Sequence, residues 1–295
     1  MKKMIMDGNT ACAHIAYMFS DAVSIYPITP ASPGAEKVEE WSNKGTKNLF
    51  GETVKAIEMQ SEAGAIGTVH GLLQTGSLAS TFTASQGLLL MIPNMYKIAG
   101  ELLPSVINVA SRTVSTHALS IFGDHSDIYA VKGTGYSILS SVNVQDVMYM
   151  TLVSYLSTLK GRIPFVNFYD GFRTSHELNK IDVLDLEEVK ELVDFSLIDE
   201  FRKNSSLANK KIMGTTQNDD VYFQNIEARN KYYDKMPDIV NGYMKLINGK
   251  FNTNYHLFDY YGSKNPTKLI VAMGSVCDTI KETIDNMEDT GTDKI

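Results

Sequence analysis

Thr29 is the residue whose surroundings in this sequence point most directly to chemistry. It lies between two prolines, in the segment Tyr26-Pro27-Ile28-Thr29-Pro30. Proline fixes its own φ, donates no backbone hydrogen bond and drives the preceding residue toward extended conformations. The run 22–26 predicts a buried strand, and Ser32-Pro33 predicts a helix N-terminus with Ser32 as its cap. We therefore expect a hydroxyl presented on a stiff turn where open α/β sheets bind ligands, although a purely structural turn has the same pattern.

Glu62 is a carboxylate followed by small residues, in the segment Glu58-Met59-Gln60-Ser61-Glu62-Ala63-Gly64-Ala65. We place it inside a predicted helix over 54–73. Glu58 and Glu62 are four residues apart and would share one face, which in most proteins is a solvated helix surface. The small residues instead favour close packing against another backbone. A carboxylate buried there without a cation beside it would have a raised pKa and could hold or pass a proton.

Arg112 follows the apolar run 106–110, which predicts another buried strand. An arginine just past the carboxyl end of a parallel strand can point into the ligand crevice of the sheet. Its planar guanidinium group suits a carboxylate or a phosphate. Pairing with an acid at the rim of the protein is an equally ordinary alternative.

Other residues that could do chemistry carry weaker signals. Asp124, His125 and Asp127 lie close together, but their spacing matches no metal signature, and a helix start capped by Asp124 or Ser126 explains them better. Gly133-Thr134-Gly135 lacks the further glycine and the clear preceding strand of a nucleotide-binding loop. The two cysteines are far apart, so the sequence has no metal or iron–sulfur spacing, and each thiol is expected to be a small buried hydrophobe.

The elements that must position these residues alternate between strand and helix as far as residue 171. Short runs that are mostly apolar, β-branched or aromatic predict strands at 23–26, 78–83, 106–110 and 163–169. The runs between them predict helices at 33–43, 54–73, 87–101 and 144–160. Near-continuous apolar strands separated by helices are typical of a parallel sheet covered on both faces, so we predict a three-layer α/β domain.

The composition changes after this alternating region. Residues 187–261 are rich in Lys, Asn and Asp and hold seven of the fifteen tyrosines. We interpret them as an arm or connector packed on the first domain, with helices at 187–201 and 238–247 and an exposed loop at 204–220. Residues 268–273 then predict a buried strand, followed by a helix over 276–287. One strand and one helix cannot bury a core of their own, so we assign 1–261 to the first domain and 262–295 to the truncated start of a second α/β domain.

Bulk properties exclude several classes of protein. With 43% hydrophobic and 21% charged residues, the 295-residue chain has the composition of a globular domain. Its formal net charge of −7 argues against a nucleic-acid-binding surface. The longest apolar stretch, 87–93, is too short to span a bilayer, and the N-terminus has no signal-peptide core. We expect a cytoplasmic protein that binds neither nucleic acid nor membrane.

Five blocks of the sequence together resemble the pyruvate:ferredoxin (flavodoxin) oxidoreductases. The resemblance runs collinearly through the whole chain and covers only the N-terminal part of that family's much longer chain. The blocks that carry it are 26–30, 58–65, 81–97, 117–125 and 170–177. The resemblance implies a thiamine-diphosphate-binding domain of the pyrimidine type.

The resemblance also implies a reaction and a set of cofactors. Members of the family cleave pyruvate oxidatively to acetyl-CoA and carbon dioxide, use coenzyme A, and pass electrons through [4Fe-4S] clusters to ferredoxin or flavodoxin. Thiamine diphosphate is the carbanion-stabilising cofactor. The diphosphate, its Mg²⁺ and the clusters would be bound by parts of the enzyme that this chain lacks. The chain alone would then be inactive, and the intact enzyme is expected to be a homodimer.

Specific roles for the candidate residues follow from the same resemblance. Glu62 would hydrogen-bond a pyrimidine nitrogen of the cofactor and promote its activation, with Pro27 as a second cofactor contact. Thr29 would hydrogen-bond the carbonyl oxygen or developing alkoxide of pyruvate, and Arg112 would bind the pyruvate carboxylate. The sequence departs from the family's pattern at Ala31, where a serine is expected, which would change hydrogen bonding in the turn without removing the threonine.

Two alternatives remain open at this point. The substrate could be a longer 2-oxoacid, because pocket size decides that choice and the sequence does not give pocket size. The domain could instead be a non-catalytic α/β interaction module that binds a partner through the tyrosine-rich arm, since tyrosine is common at interfaces. A bare interaction module would have no need of Thr29, Glu62 and Arg112 around one crevice.

Overall fold

A parallel sheet of six strands forms the centre of the computed structural model, which describes residues 2–205 and 215–289. All neighbouring strands in this sheet are parallel, and their spatial order is 3-2-4-5-7-6. Strands 1 and 8 form a separate antiparallel pair. The strands are β1 (Lys2–Met6), β2 (Ala22–Ile25), β3 (Lys55–Glu58), β4 (Ala79–Thr83), β5 (Val106–Ser111), β6 (Ser137–Ser140), β7 (Phe165–Asp170) and β8 (Asn179–Val183).

Helices occupy most of the remaining described residues. None of those helices is both long and apolar enough to cross a membrane. They are α1 (Gly8–Phe19), α2 (Ser32–Asn43), α3 (Glu62–Gln74), α4 (Ser85–Gly100), α5 (Ser126–Val131), α6 (Val144–Gly161), α7 (Leu186–Lys190), α8 (Phe195–Asn204), α9 (Asp219–Glu227), α10 (Asn230–Phe251) and α11 (Val276–Asp289).

Side chains of the central strands alternate between two hydrophobic clusters. In β5, Val106 and Ala110 belong to the cluster that includes residues of α1, α2 and α6. Ile107 and Val109 belong to the cluster that includes residues of α3, α4 and α5. Because successive strand residues point to opposite faces, the sheet is covered by helices on both sides. The predicted three-layer α/β domain with a parallel sheet is therefore confirmed.

The predicted helix over 54–73 was wrong in its first half. Residues of β3 pair in parallel with β2, with Ile57 opposite Ser24, and the helix begins only at Glu62. Glu58 is thus a strand residue and shares no helix face with Glu62. The local preference of Glu58-Met59-Gln60 for helix is overridden because this segment completes the edge of the sheet beside β2.

Within the region 187–261, α10 packs against the helix layer that includes α6. Its residues Met236, Val240, Met244 and Ile247 are buried and lie three or four positions apart, which places them on one face against the cluster that includes α6. This helix is longer than the predicted 238–247 and continues through 248–249. The predicted helix at 187–201 is divided into α7 and α8, and the predicted loop at 204–220 lies partly outside the described residues.

Residues 268–273 do not form the predicted buried strand. They have no regular structure, and Leu269 and Val271 are 70% and 87% exposed. A strand needs a neighbour for its backbone groups, and no described strand pairs with this run. The predicted helix after it is present as α11. The domain boundary at 261–262 stays a prediction.

Candidate active site at the carboxyl edge of the sheet

Four adjacent strands bring the candidate residues to one edge of the sheet. Because these strands are parallel, their carboxyl ends meet there. Thr29 follows β2, Glu62 begins the helix after β3, and Arg112 follows β5. The junction of β4 with α4 lies between them in the strand order. This is the edge at which open α/β sheets bind ligands.

The turn after β2 exposes Pro27 and Thr29 and buries Pro30. The buried Asn9 supports the turn, because its side-chain amide donates a hydrogen bond to the Pro30 carbonyl at 2.9 Å. The Thr29 carbonyl oxygen accepts a hydrogen bond from Arg112 Nη1 at 2.7 Å. Two of the three candidate residues are therefore in direct contact, and the Thr29 hydroxyl has no partner among the described residues.

The turn runs directly into α2 without a side-chain cap. The backbone amides of Ala31 and Ser32 both donate to the Ile28 carbonyl, at 2.9 and 3.0 Å. The prediction that Ser32 caps this helix was wrong, because the capping position is Ala31, which has no side-chain oxygen.

Arg112 is buried, with 7% of its surface exposed. Its Nη2 donates to Gln86 Oε1 at 3.1 Å, while Nε is buried without a hydrogen-bond partner. Burial lowers the pKa of the guanidinium group, and the charges of Asp127 and Glu62 oppose that shift. The two groups that hold the guanidinium, the Thr29 carbonyl and the Gln86 amide, are neutral. Among the described residues the guanidinium group therefore forms no ion pair, and its positive charge suits an anionic ligand.

Glu62 is buried, 6% exposed, and no described group donates a hydrogen bond to its carboxylate. It begins α3, which Ser61 caps by accepting a hydrogen bond from the Gly64 amide at 3.1 Å. A Cβ atom added at Gly87 would lie 2.7 Å from Glu62 Oε1 and 2.5 Å from Thr83 Oγ1. The carboxylate thus occupies a space that any side chain at position 87 would fill. A buried carboxylate with free acceptor capacity suits a ligand that brings its own donor.

The junction of β4 with α4 supplies residues that the sequence analysis missed. Ser85 has a φ of +50°, and its hydroxyl lies 2.6 Å from Gln86 Oε1 and 2.7 Å from the Thr113 carbonyl. The side-chain amide of Gln86 also donates to the Ser115 carbonyl at 3.1 Å. The signal that could have found this junction is its position, since it also lies where a parallel strand ends and a helix begins.

The cluster of Asp124, His125 and Asp127 separates in the structure. Asp124 is exposed and accepts a hydrogen bond from the Ser126 amide at 2.7 Å, but the capping position of α5 is His125, which makes no side-chain cap hydrogen bond. The His125 ring instead hydrogen-bonds to Asp170 at the end of β7. Asp127 is fully buried, and burial raises its pKa to about 6, against the opposing effect of the backbone amides that it binds.

Asp170, at the carboxyl end of β7, contacts His125, which precedes α5, and Ser275, which precedes α11. It accepts hydrogen bonds from the His125 ring at 2.7 Å, from the Ser275 amide at 2.9 Å and from the Ser275 hydroxyl at 2.5 Å. Burial alone would raise the pKa of Asp170, but the hydrogen bonds from His125 and Ser275 outweigh it and lower the pKa. The hydrogen bond to Asp170 in turn raises the pKa of His125.

The chain is similar to known proteins over nearly its whole length. A family model described as pyruvate flavodoxin/ferredoxin oxidoreductase, thiamine diphosphate-binding, matches residues 14–245. Pyruvate-flavodoxin oxidoreductase from Enterobacter agglomerans is 54% identical over 98% of this chain. Pyruvate:ferredoxin oxidoreductase from Moorella thermoacetica is 55% identical over 99% of it. In both comparisons this chain spans 25% of the relative's length.

A solved structure shares the fold. The 2-oxoglutarate:ferredoxin oxidoreductase from Magnetococcus marinus superposes with a TM-score of 0.72 over 98% of this chain and 52% of that chain, at 18% sequence identity. The family match covers most of the chain and includes β2 to α9 and all three candidate residues. This chain therefore belongs to the thiamine diphosphate-binding family of the pyruvate flavodoxin/ferredoxin oxidoreductases.

Proposed function

We propose that this chain is the N-terminal, pyrimidine-binding part of an enzyme that oxidatively decarboxylates pyruvate to acetyl-CoA and carbon dioxide. The observation that carries the proposal is Glu62. In a chain of a thiamine diphosphate-binding family, a carboxylate is held buried, without a hydrogen-bond donor, at the ligand-binding edge of the sheet. We refer below to the longer protein that would contain these residues as the complete enzyme.

The residues at this edge suit two tasks, which are binding the pyrimidine ring of the cofactor and binding the 2-oxoacid substrate. Thiamine diphosphate, when bound, supplies the carbanion-stabilising centre. Glu62 would accept a hydrogen bond from a nitrogen of its aminopyrimidine ring, and Pro27 would form part of the same surface. Thr29 offers its free hydroxyl to the carbonyl oxygen of the substrate. Arg112 offers its unpaired charge to the substrate carboxylate.

The remaining cofactors and partners would be bound outside this chain. A [4Fe-4S] cluster needs four ligands, typically cysteines, and this sequence has two cysteines. We therefore assign the clusters to the rest of the complete enzyme, and we propose that Mg²⁺, coenzyme A and the ferredoxin or flavodoxin that accepts electrons are bound there as well. We propose that it is a homodimer.

Glu62→Gln in the complete enzyme tests the proposal. The amide keeps the size of the side chain but loses the negative charge and offers a donor where an acceptor is needed. We expect pyruvate turnover to fall by roughly 10²–10⁴-fold, the range for losing a general acid–base group, with the folded state retained. The matched control is Glu58→Gln, an exposed carboxylate four residues away on β3, which should leave turnover unchanged. Wild-type turnover in the Glu62 variant would exclude this role.

Arg112→Ala tests how the substrate is recognised. Losing a charge-assisted hydrogen bond of about 1.5–3 kcal/mol should raise KM for pyruvate about 10- to 100-fold and leave KM for coenzyme A unchanged. Arg173→Ala removes an exposed arginine near the same edge and serves as the control. Equal increases in both KM values would show that Arg112 is structural. A longer 2-oxoacid that the wild-type enzyme uses better than pyruvate would change the substrate but not the reaction class.

A further inference from the structure

One buried carboxylate links two of the loops that form the candidate site. Asp127 Oδ2 accepts hydrogen bonds from the backbone amides of Ser85 and Arg112, at 2.8 and 3.1 Å. Its Oδ1 accepts a hydrogen bond from the Ile128 amide at 2.8 Å. Asp127 has no exposed surface, so both carboxylate oxygens are committed to backbone groups of the protein.

The two amides bound by Asp127 Oδ2 belong to residues that determine where the Arg112 guanidinium points. One is the amide of Arg112 itself, at the point where the chain leaves β5. The other is that of Ser85, whose φ of +50° is rarely adopted by a residue with a side chain and needs support from its surroundings. Ser85 directly precedes Gln86, which accepts the hydrogen bond from Arg112 Nη2. Asp127 therefore fixes both ends of the Arg112–Gln86 contact through backbone groups alone.

We propose that Asp127 is the positioning residue that sets the orientation of the Arg112 guanidinium, and through it the affinity of the enzyme for the carboxylate of its 2-oxoacid. The inference rests on the proposed function, since it assigns Asp127 a task only if Arg112 binds substrate. Asp127 touches no substrate in this arrangement. Its effect passes through the amides of Arg112 and Ser85 and the side chain of Gln86.

Asp127→Asn in the complete enzyme is the direct test, because an asparagine has one acceptor oxygen and cannot accept all three hydrogen bonds. Its amide group would face at least one backbone N–H. A misplaced positioning group can cost about 100-fold, so we expect KM for pyruvate to rise about 10- to 100-fold with KM for coenzyme A unchanged. Asp124→Asn, an exposed aspartate three residues earlier, is the matched control and should leave both values unchanged.

A double variant shows whether Asp127 acts through Arg112. If it does, adding Asp127→Asn to Arg112→Ala should raise KM for pyruvate no further than Arg112→Ala alone. Additive effects would overturn the proposal. A normal KM for pyruvate in Arg112→Ala would overturn the substrate role of Arg112 and this inference with it. A raised KM in Arg112→Ala with a normal KM in Asp127→Asn would overturn the inference and leave the proposed function standing.

Asp127→Glu covers the case in which the asparagine variant does not fold. It keeps the charge and displaces both oxygens by one methylene group, so it should also raise KM for pyruvate selectively. An unchanged KM for pyruvate in this variant would contradict the proposal. If neither variant folds, Asp127 is a structural residue and the proposal is wrong.

Discussion

At the scale of residues, the side chains at the carboxyl edge differ in how much of their hydrogen-bonding capacity the protein uses. Asp170 accepts three hydrogen bonds and Asp127 accepts three. By contrast, the Glu62 carboxylate, 6% exposed, accepts none from the described residues. Among those residues the buried Arg112 Nε also has no hydrogen-bond partner. Leaving a buried polar group unsatisfied costs about 1–3 kcal/mol, so a ligand that satisfies such a group recovers that free energy on binding.

Gly87→Ala tests whether the position of the Glu62 carboxylate, which lies where a side chain at residue 87 would be, matters for cofactor binding. The added methyl group would lie 2.7 Å from Glu62 Oε1 and 2.5 Å from Thr83 Oγ1, so the carboxylate must move. We expect the affinity of the complete enzyme for thiamine diphosphate, measured by equilibrium dialysis, to fall by roughly tenfold or more, about 1.4 kcal/mol. Gly71→Ala is the control, because it is also in a helix and meets nothing within 4 Å. Wild-type affinity in Gly87→Ala would mean that Glu62 can move at no cost to cofactor binding.

The sequence identified Thr29, Glu62 and Arg112 as candidates but not the residues that contact them. Thr29 and Arg112 were found because each follows an apolar strand run, and Glu62 because small residues follow it. The contacts of Gln86 and Asp127 with the candidate site form only because the loops after β4 and β5 lie side by side at the edge of the sheet. That arrangement is set by the strand order, in which β4 lies between β2 and β5, and a single sequence does not state the strand order.

At the scale of elements, the start of α11 is attached to the carboxyl end of β7 through the Asp170 carboxylate. The start of α11 is held because Ser275 donates two hydrogen bonds to Asp170, which also accepts one from His125. Gly274 has a φ of +77°, and a Cβ there would lie 2.8 Å from Asp170 Oδ1, so only glycine permits this close approach. The position of α11 is therefore coupled to the protonation of two residues outside that helix.

This coupling predicts a pH window for the protection of α11. The pKa of His125 is raised above its usual 6.5, so the positive charge that faces Asp170 is lost as the pH rises through that folded value. The pKa of Asp170 is lowered below 3.8, so the contact is lost again as the pH falls through that value. Hydrogen-exchange protection factors over 275–287 should be highest between these limits. In His125→Gln the decline above the pKa of His125 should be absent, and pH-independent protection in the wild-type protein would contradict the coupling.

Edge strands explain which elements sequence patterns missed. The central strands β4, β5 and β7 are buried along their whole length and were predicted. The edge strands β3 and β6 mix exposed and half-buried residues, because only one side of each has a neighbour, and neither was predicted. The run 268–273 shows the opposite error, since an apolar pattern predicts burial only if a partner strand is present.

At the scale of the whole molecule, the two cysteines are poor candidates for iron–sulfur ligands. Cys12 is buried and Cys277 partly buried, and neither is part of a group of metal-binding side chains in the described residues. Burial raises the pKa of Cys12 to about 12, which disfavours the thiolate that an iron–sulfur cluster requires.

The isolated chain should accordingly neither hold a cluster nor reduce an acceptor. After reconstitution with iron and sulfide under anaerobic conditions, we expect no cluster absorbance above that of a control protein without cysteines. With pyruvate, thiamine diphosphate, Mg²⁺ and coenzyme A, a viologen dye should stay oxidised. The complete enzyme in the same assay is the positive control, and pyruvate-dependent reduction of the dye by the isolated chain would contradict this prediction.

The pairing of β1 with β8 has a consequence for how the chain is made. Lys2 lies opposite Val183 and Met6 opposite Asn179, so β1 leaves the ribosome well before its partner β8, which follows all six strands of the main sheet. At about 5–20 residues per second, synthesis leaves β1 unpaired for roughly ten to forty seconds. During that time it is an open strand edge, which other nascent chains can join. The N-terminal strand is therefore the part of this domain most in need of protection by a chaperone during translation.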